Sequence, residues 1–476
     1  MSINIIYTAY DLALLFHSMF KNQYVCSSLK NNEWFYFENH KWNLDNNGAS
    51  LYSKISTDLI NEYNKKCKEL LKDVSNEQLI DYLKLQKATT DKLKSTSFKM
   101  SVLTESAHLF YDKDFINKLD ENRNLICFTN GIFDLVNNKF RDGKPTDYIS
   151  LSTNNEYVKF NSNDRYIKSL LNYFNQVFTN KDIKEYVLNL LSSYLQGHNP
   201  HEKFIIWTGT GANSKSKLIE LLCLSLGEYA GVLPVSLLTH KRSACGVASP
   251  ELAMTKGKRF IYFQEPEETD KINVGLMKEL TGNDKISARQ LFKEPVEFKP
   301  QFKLVLCCNK LPYIPSSDGG TWRRLRVVNF SSKFVNEPKN DNEFKIDPYL
   351  SENFEKWKVS LMSILIDRFE NYKNKGLLEP DEVMKYTMKY KADSDIYLQF
   401  FIDKLDKQRD NKININELYQ IFKIYYKEVY NKRPPSRNEF KKYIDDNYID
   451  NVKQNHLYGF NYKESNDSIS NGLDDY

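Results

Sequence analysis

The stretch Gly209-Thr210-Gly211-Ala212-Asn213-Ser214-Lys215-Ser216 constrains this chain more than any other. The apolar run Phe204-Ile205-Ile206-Trp207 precedes it and reads as a buried strand; Lys217-Leu218-Ile219-Glu220-Leu221-Leu222 follows and reads as a helix. Strand, Gly-rich turn, then Lys-Ser opening a helix is the setting of a phosphate-binding loop. In such a turn the backbone N–H groups converge on the phosphates, and the helix N-terminus adds partial positive charge. Lys215 is then placed to reach the β- and γ-phosphates, and Ser216 to bring a hydroxyl to Mg²⁺. Ser214 stands where glycine ordinarily precedes the lysine. A small side chain is tolerable there if its backbone is near helical.

At 476 residues the chain has room for two or three domains with sizeable cores. Hydrophobic content of 41% and charged content of 27% are those of an ordinary globular protein. The net charge is only +5, so nucleic-acid binding has to rest on local patches. The cysteines, Cys26, Cys67, Cys127, Cys223, Cys245, Cys307 and Cys308, are odd in number and contain no C-x-x-C pair. That argues against both a disulfide framework and a thiolate metal site. Cys307 and Cys308 sit in an apolar run and read as core thiols of a reducing, intracellular compartment. No apolar run is long enough to span a membrane, and the start lacks the basic segment of a secretory signal.

Residues 1–160 mix helix with short strands. Trp34-Phe35-Tyr36-Phe37 and Lys41-Trp42 read as the arms of a hairpin, 50–95 as helical, and Asn130-Gly131 as a tight turn. Asp112-Lys113-Asp114 resembles a metal-site carboxylate pair but reads as a solvated turn, and no catalysis is assigned to it. Residues 165–200 carry two helical patterns, and from 200 to 335 apolar strands alternate with helices, the pattern of an α/β core with a parallel sheet. Residues 336–394 read as a helical connector, in which Glu379-Pro380-Asp381-Glu382 is a helix start or linker. In 395–463, Ile415, Leu418, Tyr419, Phe422, Tyr425, Tyr426 and Val429 form one helix face, and Ser436-Arg437-Asn438-Glu439 is a capping box. Val452 and Leu457–Tyr462 suggest a hairpin, so this segment reads as winged-helix-like. Its Lys432, Arg433, Arg437, Lys441 and Lys442 suit phosphate contacts from a recognition helix, or equally a solvated charged face. The acidic tail 464–476 reads as disordered.

Beyond the loop, Arg259-Phe260-Ile261-Tyr262-Phe263 reads as a second core strand ending in Gln264-Glu265-Pro266-Glu267-Glu268. A carboxylate at such a strand end can hold the Mg²⁺ shell or orient the attacking water, and Glu265 is the candidate, with Glu267 able to assist. A third strand, Lys303–Cys308, ends in Asn309, whose amide could bind that water or the γ-phosphate. Then come Trp322-Arg323-Arg324-Leu325-Arg326, which suit an arginine finger inserted into a neighbouring subunit's site, or a surface salt-bridge cluster.

This order of motifs, with Lys278-Glu279-Leu280-Thr281-Gly282-Asn283-Asp284 between the strands, resembles superfamily 3 helicases. More narrowly, it is similar to the poxvirus-type primase–helicase group of large DNA viruses and some phages. The resemblance extends to Phe128-Thr129-Asn130-Gly131 and Trp34–Trp42 in the preceding domain. It implies an α/β, AAA+-like P-loop ATPase core (165–335), preceded by a mixed, mainly helical domain and followed by the winged-helix-like domain. It further implies Gly209–Ser216 for ATP, with Lys215 on the phosphates; Ser216 and Glu265 for Mg²⁺; Asn309 as sensor; and Arg323 or Arg324 as finger, with Arg324 favoured. Lys285, Arg289, Phe292 and Lys293 resemble the pore-facing motif and hairpin, which would grip single-stranded DNA. Implied partners are forked DNA, copies of this chain in a hexameric ring, and a primase, polymerase or other replication protein in the host cytoplasm. The polymerase-like primase domain that relatives carry upstream finds no room in these residues, so helicase activity is implied and primase is not. Two rival readings stay open, a scaffold with a degenerate site and a P-loop translocase or packaging motor; a small-molecule kinase would leave Asn309 and the arginines unexplained.

Overall fold

A computed structural model describes residues 7–73, 76–240, 248–266, 270–291, 295–314, 319–430 and 433–463. After α1 (Ala9–Phe20) comes a three-stranded antiparallel meander of β1 (Tyr24–Ser28), β2 (Glu33–Glu38) and β3 (Lys41–Asn46). Strand alternation explains the run of four aromatics. Trp34 enters the core shared with α1, while Phe35 enters a second cluster with Trp42 and Phe115. The expected hairpin is present, with Asn39 and His40 at φ 52° and 66°, a turn whose twist matches its strands.

The expected helical stretch consists of α2 (Ala49–Lys54), α3 (Ile60–Leu70) and α4 (Asn76–Lys92), followed by α5 (Thr96–Leu109) and α6 (Phe115–Lys118). Asp112 lies in the turn before α6 and pairs with Lys118 at 2.8 Å. A second meander, β4 (Leu125–Phe128), β5 (Gly131–Asp134) and β6 (Lys139–Arg141), turns at Thr129-Asn130.

Helices α7 (Arg165–Val177) and α8 (Lys181–Ser193) lead to β7 (Phe204–Thr208), α9 (Lys215–Leu226), β8 (Ala230–Val232), α10 (Val235–Thr239) and α11 (Pro250–Ala253). Next come β9 (Phe260–Gln264), α12 (Val274–Thr281), the hairpin of β10 (Ile286–Ala288) and β11 (Val296–Phe298), β12 (Lys303–Cys307), α13 (Gly319–Trp322) and β13 (Leu325–Asn329). Five of these strands form one parallel sheet in the order β13-β7-β12-β9-β8. Apolar clusters cover both of its faces, which is why its strands read as nearly unbroken apolar runs. The order sets β12 between β7 and β9, so the phosphate loop, Asn309 and Glu265 leave the same edge side by side.

The 336–394 segment, expected as a connector, is part of the core. After β14 (Lys333–Val335) and β15 (Glu343–Lys345), helix α14 (Leu350–Lys375) packs Phe354, Leu361 and Leu365 into the cluster that holds Leu170, Leu190 and Leu222. Helix α15 (Asp381–Ser394), starting just after Pro380, lies along the edge strand β13, whose Val327 N–H donates to the Thr387 hydroxyl at 3.0 Å. An open strand edge is thereby covered.

The last described unit runs α16 (Ile396–Lys404), β16 (Leu405–Asn414), α17 (Ile415–Tyr430), α18 (Arg437–Asn447), β17 (Val452–Lys453) and β18 (His456–Tyr462). Its sheet order is β16-β18-β17, and the element order is that of a winged helix. Phe400, Phe422 and Phe440 centre its core. Val429 is off the apolar face, 55% exposed. The capping box forms as expected: Ser436 Oγ accepts from Glu439 N–H at 3.3 Å and Glu439 accepts from Ser436 N–H at 2.7 Å. Ser436→Ala should cost about 1 kcal/mol at this helix start. Amide exchange of the first turn of α18 should quicken accordingly, and unchanged protection there would contradict the cap.

Candidate functional site

The phosphate loop is built as a nest. Gly209, Gly211, Ala212 and Ser214 all take positive φ, at 151°, 94°, 48° and 70°. Successive backbone N–H groups are thereby turned toward one concavity at the start of α9. Glycine is required at 209, where a Cβ would lie 2.7 Å from Phe330 O and collide with the Asn213 amide. The conformation of Ser214 differs from the expectation. Its φ of 70° and ψ of 10° are left-handed, the region glycine prefers, so the residue does not simply begin the helix. Its hydroxyl lies 2.8 Å from that of Tyr173, which helps hold it there.

Lys215 is 6% exposed, and its Nζ donates to Gly209 O at 3.0 Å and to the amide oxygens of Asn213 and Asn309 at 3.1 Å each. Burial holds its pKa below the usual lysine value, with the charge of Glu265 acting in the opposite direction. All three acceptors are neutral, so an incoming phosphate would supply the full negative charge this ammonium lacks. Glu265 has φ 49° and anchors its N–H on Cys307 O at 3.0 Å, at the end of the neighbouring strand. Its side chain is exposed toward the cleft, as are those of Asn309 and Ser216. Residues Gly211–Lys217, Gln264, Glu265 and Cys307–Asn309 line a cleft of about 290 Å³.

This donor set fits a magnesium-bound triphosphate. Mg²⁺ on phosphates needs only one or two protein oxygens, and Ser216 and Glu265 offer a hydroxyl and a carboxylate at one mouth. Among the described residues no three His, Cys, Asp or Glu side chains gather as an all-protein metal cage. Glu267, the assisting candidate, lies outside the described residues.

The arginines stand at the opposite end of the sheet. Phe204 N–H donates to Arg324 O at 2.8 Å at the start of β7, whereas Lys215 follows its far end. Five residues of strand separate them by about 17 Å. Neither arginine can therefore serve its own phosphate loop. Arg323 and Arg324 share Glu202 Oε2, at 3.1 and 2.6 Å, yet their side chains are 65% and 12% exposed. The more exposed of the two is Arg323, whereas Arg324 was the favoured finger. Their shared partner Glu202 lies in the turn before β7, far away in sequence.

Of the expected DNA-contacting residues, Lys285 and Arg289 flank β10 and are exposed with Ser287, while Ile286 and Ala288 point into the core. Phe292 and Lys293 lie outside the described residues. Arg437 and Lys441 are partly exposed on α18, with Arg437 Nε donating to Asn416 at 2.7 Å; Lys432 is outside the described residues.

Sequence reading missed several supports of the site. Phe334 N–H donates to Ala212 O at 2.7 Å, and Asn213 donates to Phe330 O at 3.4 Å, so the chain after β13 clasps the loop from behind. Arg259, read only as the first residue of a strand, is 2% exposed and donates to the carbonyls of Leu195, Gly257 and Asn122 and to Gln301. An arginine opening an apolar strand was the available signal. Cys307 and Cys308 are buried as expected, and Cys245 lies outside the described residues. Among the described residues no helix is long and apolar enough to cross a membrane.

Residues 13–186 match the family model described as D5 N terminal like, and residues 207–324 match a family of unknown function. A protein of Acanthamoeba polyphaga mimivirus named "Putative helicase" is 39% identical over 454 residues, covering 91% of this chain and 47% of its own length. A "Putative helicase" of Invertebrate iridescent virus 3 is 30% identical, covering 79% and 43%. A "Putative primase" of African swine fever virus is 27% identical, covering 71% and 38%. The chain thus spans about half the length, or less, of these relatives. The apo C-terminal region of NrS-1 aligns at 14% identity and a TM-score of 0.38 over 53% of this chain and 58% of that one, too slight a likeness to bear on function.

Proposed function

We infer that this chain, which belongs to the D5-type primase–helicase group of large DNA viruses, is an ATP-driven DNA helicase of superfamily 3 acting in viral genome replication. One observation carries the reading: Lys215, Asn309 and Glu265 meet around one nest at the ends of three adjacent parallel strands. The nest would hold the β- and γ-phosphates of ATP, with Lys215 replacing its neutral acceptors by phosphate oxygens. Ser216 and Glu265 would hold Mg²⁺, which would supply charge neutralisation on the phosphates. In this reading Asn309 would orient the attacking water and Glu265 would take its proton, as the bond between the γ-phosphorus and the bridging oxygen breaks.

The position of the arginines, a strand length from their own loop, favours supply in trans within a homo-hexameric ring. Arg323 is the better finger because it is exposed and, among the described residues, its side chain is held by a surface ion pair, an interaction worth little. The β10–β11 hairpin, with Lys285 and Arg289 on its outward face, and α18, with Arg437 and Lys441, are the surfaces we assign to single-stranded and forked DNA. Host cytoplasm is the proposed place of action, alongside a primase and polymerase supplied by the replication machinery. Steady-state ATPase measured with and without single-stranded DNA, beside fork unwinding, tests the reading. DNA-stimulated turnover with strand separation is expected. Stimulated turnover without separation would mark a translocase, and absence of turnover with retained DNA binding a scaffold; either overturns the helicase assignment.

A further inference from the structure

Ser214 occupies a backbone position that suits glycine. Its φ of 70° crowds Cβ against its own peptide group, whereas glycine takes that conformation freely. A partner outside the loop can offset that cost for serine. The Tyr173 hydroxyl, on α7, lies 2.8 Å from Ser214 Oγ. Tyr173 is 3% exposed, and its ring is fixed edge-on against Phe174 at 5.8 Å and Phe354 at 5.5 Å, between two helices that lie outside the core sheet. A rigid ring thus presents one hydroxyl to the single loop residue that departs from the usual phosphate-loop pattern. Ser214 is also the residue immediately before Lys215, so its torsions set where that ammonium and the first N–H groups of α9 point.

We propose that Tyr173 is a positioning residue for ATP: its hydroxyl keeps Ser214 left-handed, and so keeps the phosphate loop open for the triphosphate. The role rests on the reading of this loop as an ATP site. It differs from the contacts made by Lys215 or Ser216 because Tyr173 reaches no phosphate itself. Serine and tyrosine together replace the usual glycine, and α7, which leads into the core, gains a direct hold on the loop.

The test is a double-mutant comparison on the full chain, read by equilibrium binding of a fluorescent ATP analogue with Mg²⁺. Tyr173→Phe keeps the ring contacts and removes the hydroxyl. It should weaken nucleotide binding by about 3–10-fold, raise KM in step and leave kcat within about twofold, as expected for one lost hydrogen bond. Ser214→Ala keeps the Cβ that makes the left-handed torsion costly but removes the partner oxygen, and should lose a similar factor; adding Tyr173→Phe to it should cost nothing more. In a Ser214→Gly background, Tyr173→Phe should change binding by less than about 1.5-fold, since glycine needs no hold. An equal loss in the serine and glycine backgrounds would mean that Tyr173 acts through packing, and would overturn the proposal. So would wild-type binding that is indifferent to Tyr173→Phe. A wild-type chain that binds no nucleotide at all sinks the ATPase reading together with this role, an outcome separate from indifference to Tyr173. Thermal melting of each variant alongside shows that the loss is in binding and not in the fold.

Discussion

Arg323→Ala is expected to lower DNA-stimulated ATP turnover by on the order of 10³-fold, with nucleotide binding retained. The effect is large because a finger contributes at the transition state, where charge builds on the transferred phosphoryl group, and little in the ground state. Mixing Arg323→Ala with Lys215→Ala chains should recover part of the activity. In a mixed ring, an intact finger from the lysine variant can meet an intact loop from the arginine variant. Recovery in the mixture, with neither variant active alone, is the signature of a shared site. Arg324→Ala should behave differently. Arg324 is nearly covered and lies 2.6 Å from Glu202, so its loss leaves that carboxylate with the exposed Arg323 alone and should show first in thermal stability. If Arg324→Ala abolished turnover at unchanged stability while Arg323→Ala stayed within tenfold of wild type, Arg324 would be the finger.

Arg259→Leu should be the most damaging single change to the fold. The guanidinium is buried where β9 begins, over the ring of Tyr229 at 5.5 Å, and it donates to backbone carbonyls from three separate segments. Leucine matches much of the volume and none of the donors. Several buried oxygens would be left unpaired, and Asp120, whose carboxyl burial already pushes up, would lose a stabilising positive charge. About 3–5 kcal/mol of destabilisation is expected, a fall of about 3–5 °C in melting temperature for a chain of this size. Arg259→Lys should recover only a minor part, because a point charge cannot reach carbonyls arranged around a planar fork. The segment that carries Asn122 should also become accessible to protease, since Arg259 and Gln301 tie it to the base of the sheet through Asn122 O and Asp120 O. A melting temperature within 2 °C of wild type would show that water satisfies these groups instead.

How far the sequence reached can be judged element by element. The phosphate loop was legible because strand, turn and helix signals are local and follow one another without interruption. The core strands were legible because a parallel sheet buried on both faces demands nearly continuous apolar runs, as in Phe204–Trp207 and Leu304–Cys308. Asn130-Gly131 and Ser436 announced a turn and a helix start through chemistry that acts within three residues. Strand β16 was not legible. Its middle, Lys407-Gln408-Arg409-Asp410, carries no alternation, and the strand is defined by pairing of its two ends, Leu405–Lys407 and Lys412–Asn414, with β18. Nor could α14 and α15 be told from a connector, because a helix's apolar stripe does not say which surface it will cover.

By itself, then, the sequence determined the order of chemical groups: a loop, a strand-end carboxylate, a strand-end amide and an arginine pair, each on an element whose type its neighbours dictate. The tertiary structure decided how those groups are held. Ser214 is left-handed because loop closure and a hydroxyl 41 residues away leave it no better choice. Arg323 is exposed and Arg324 covered, although both share Glu202, 121 residues before the first of them, at the base of the sheet. Local propensity extends only a few residues along the chain. The sign of a torsion angle and the exposure of a charge are settled by partners that sequence distance hides, and here those partners set the geometry of the site.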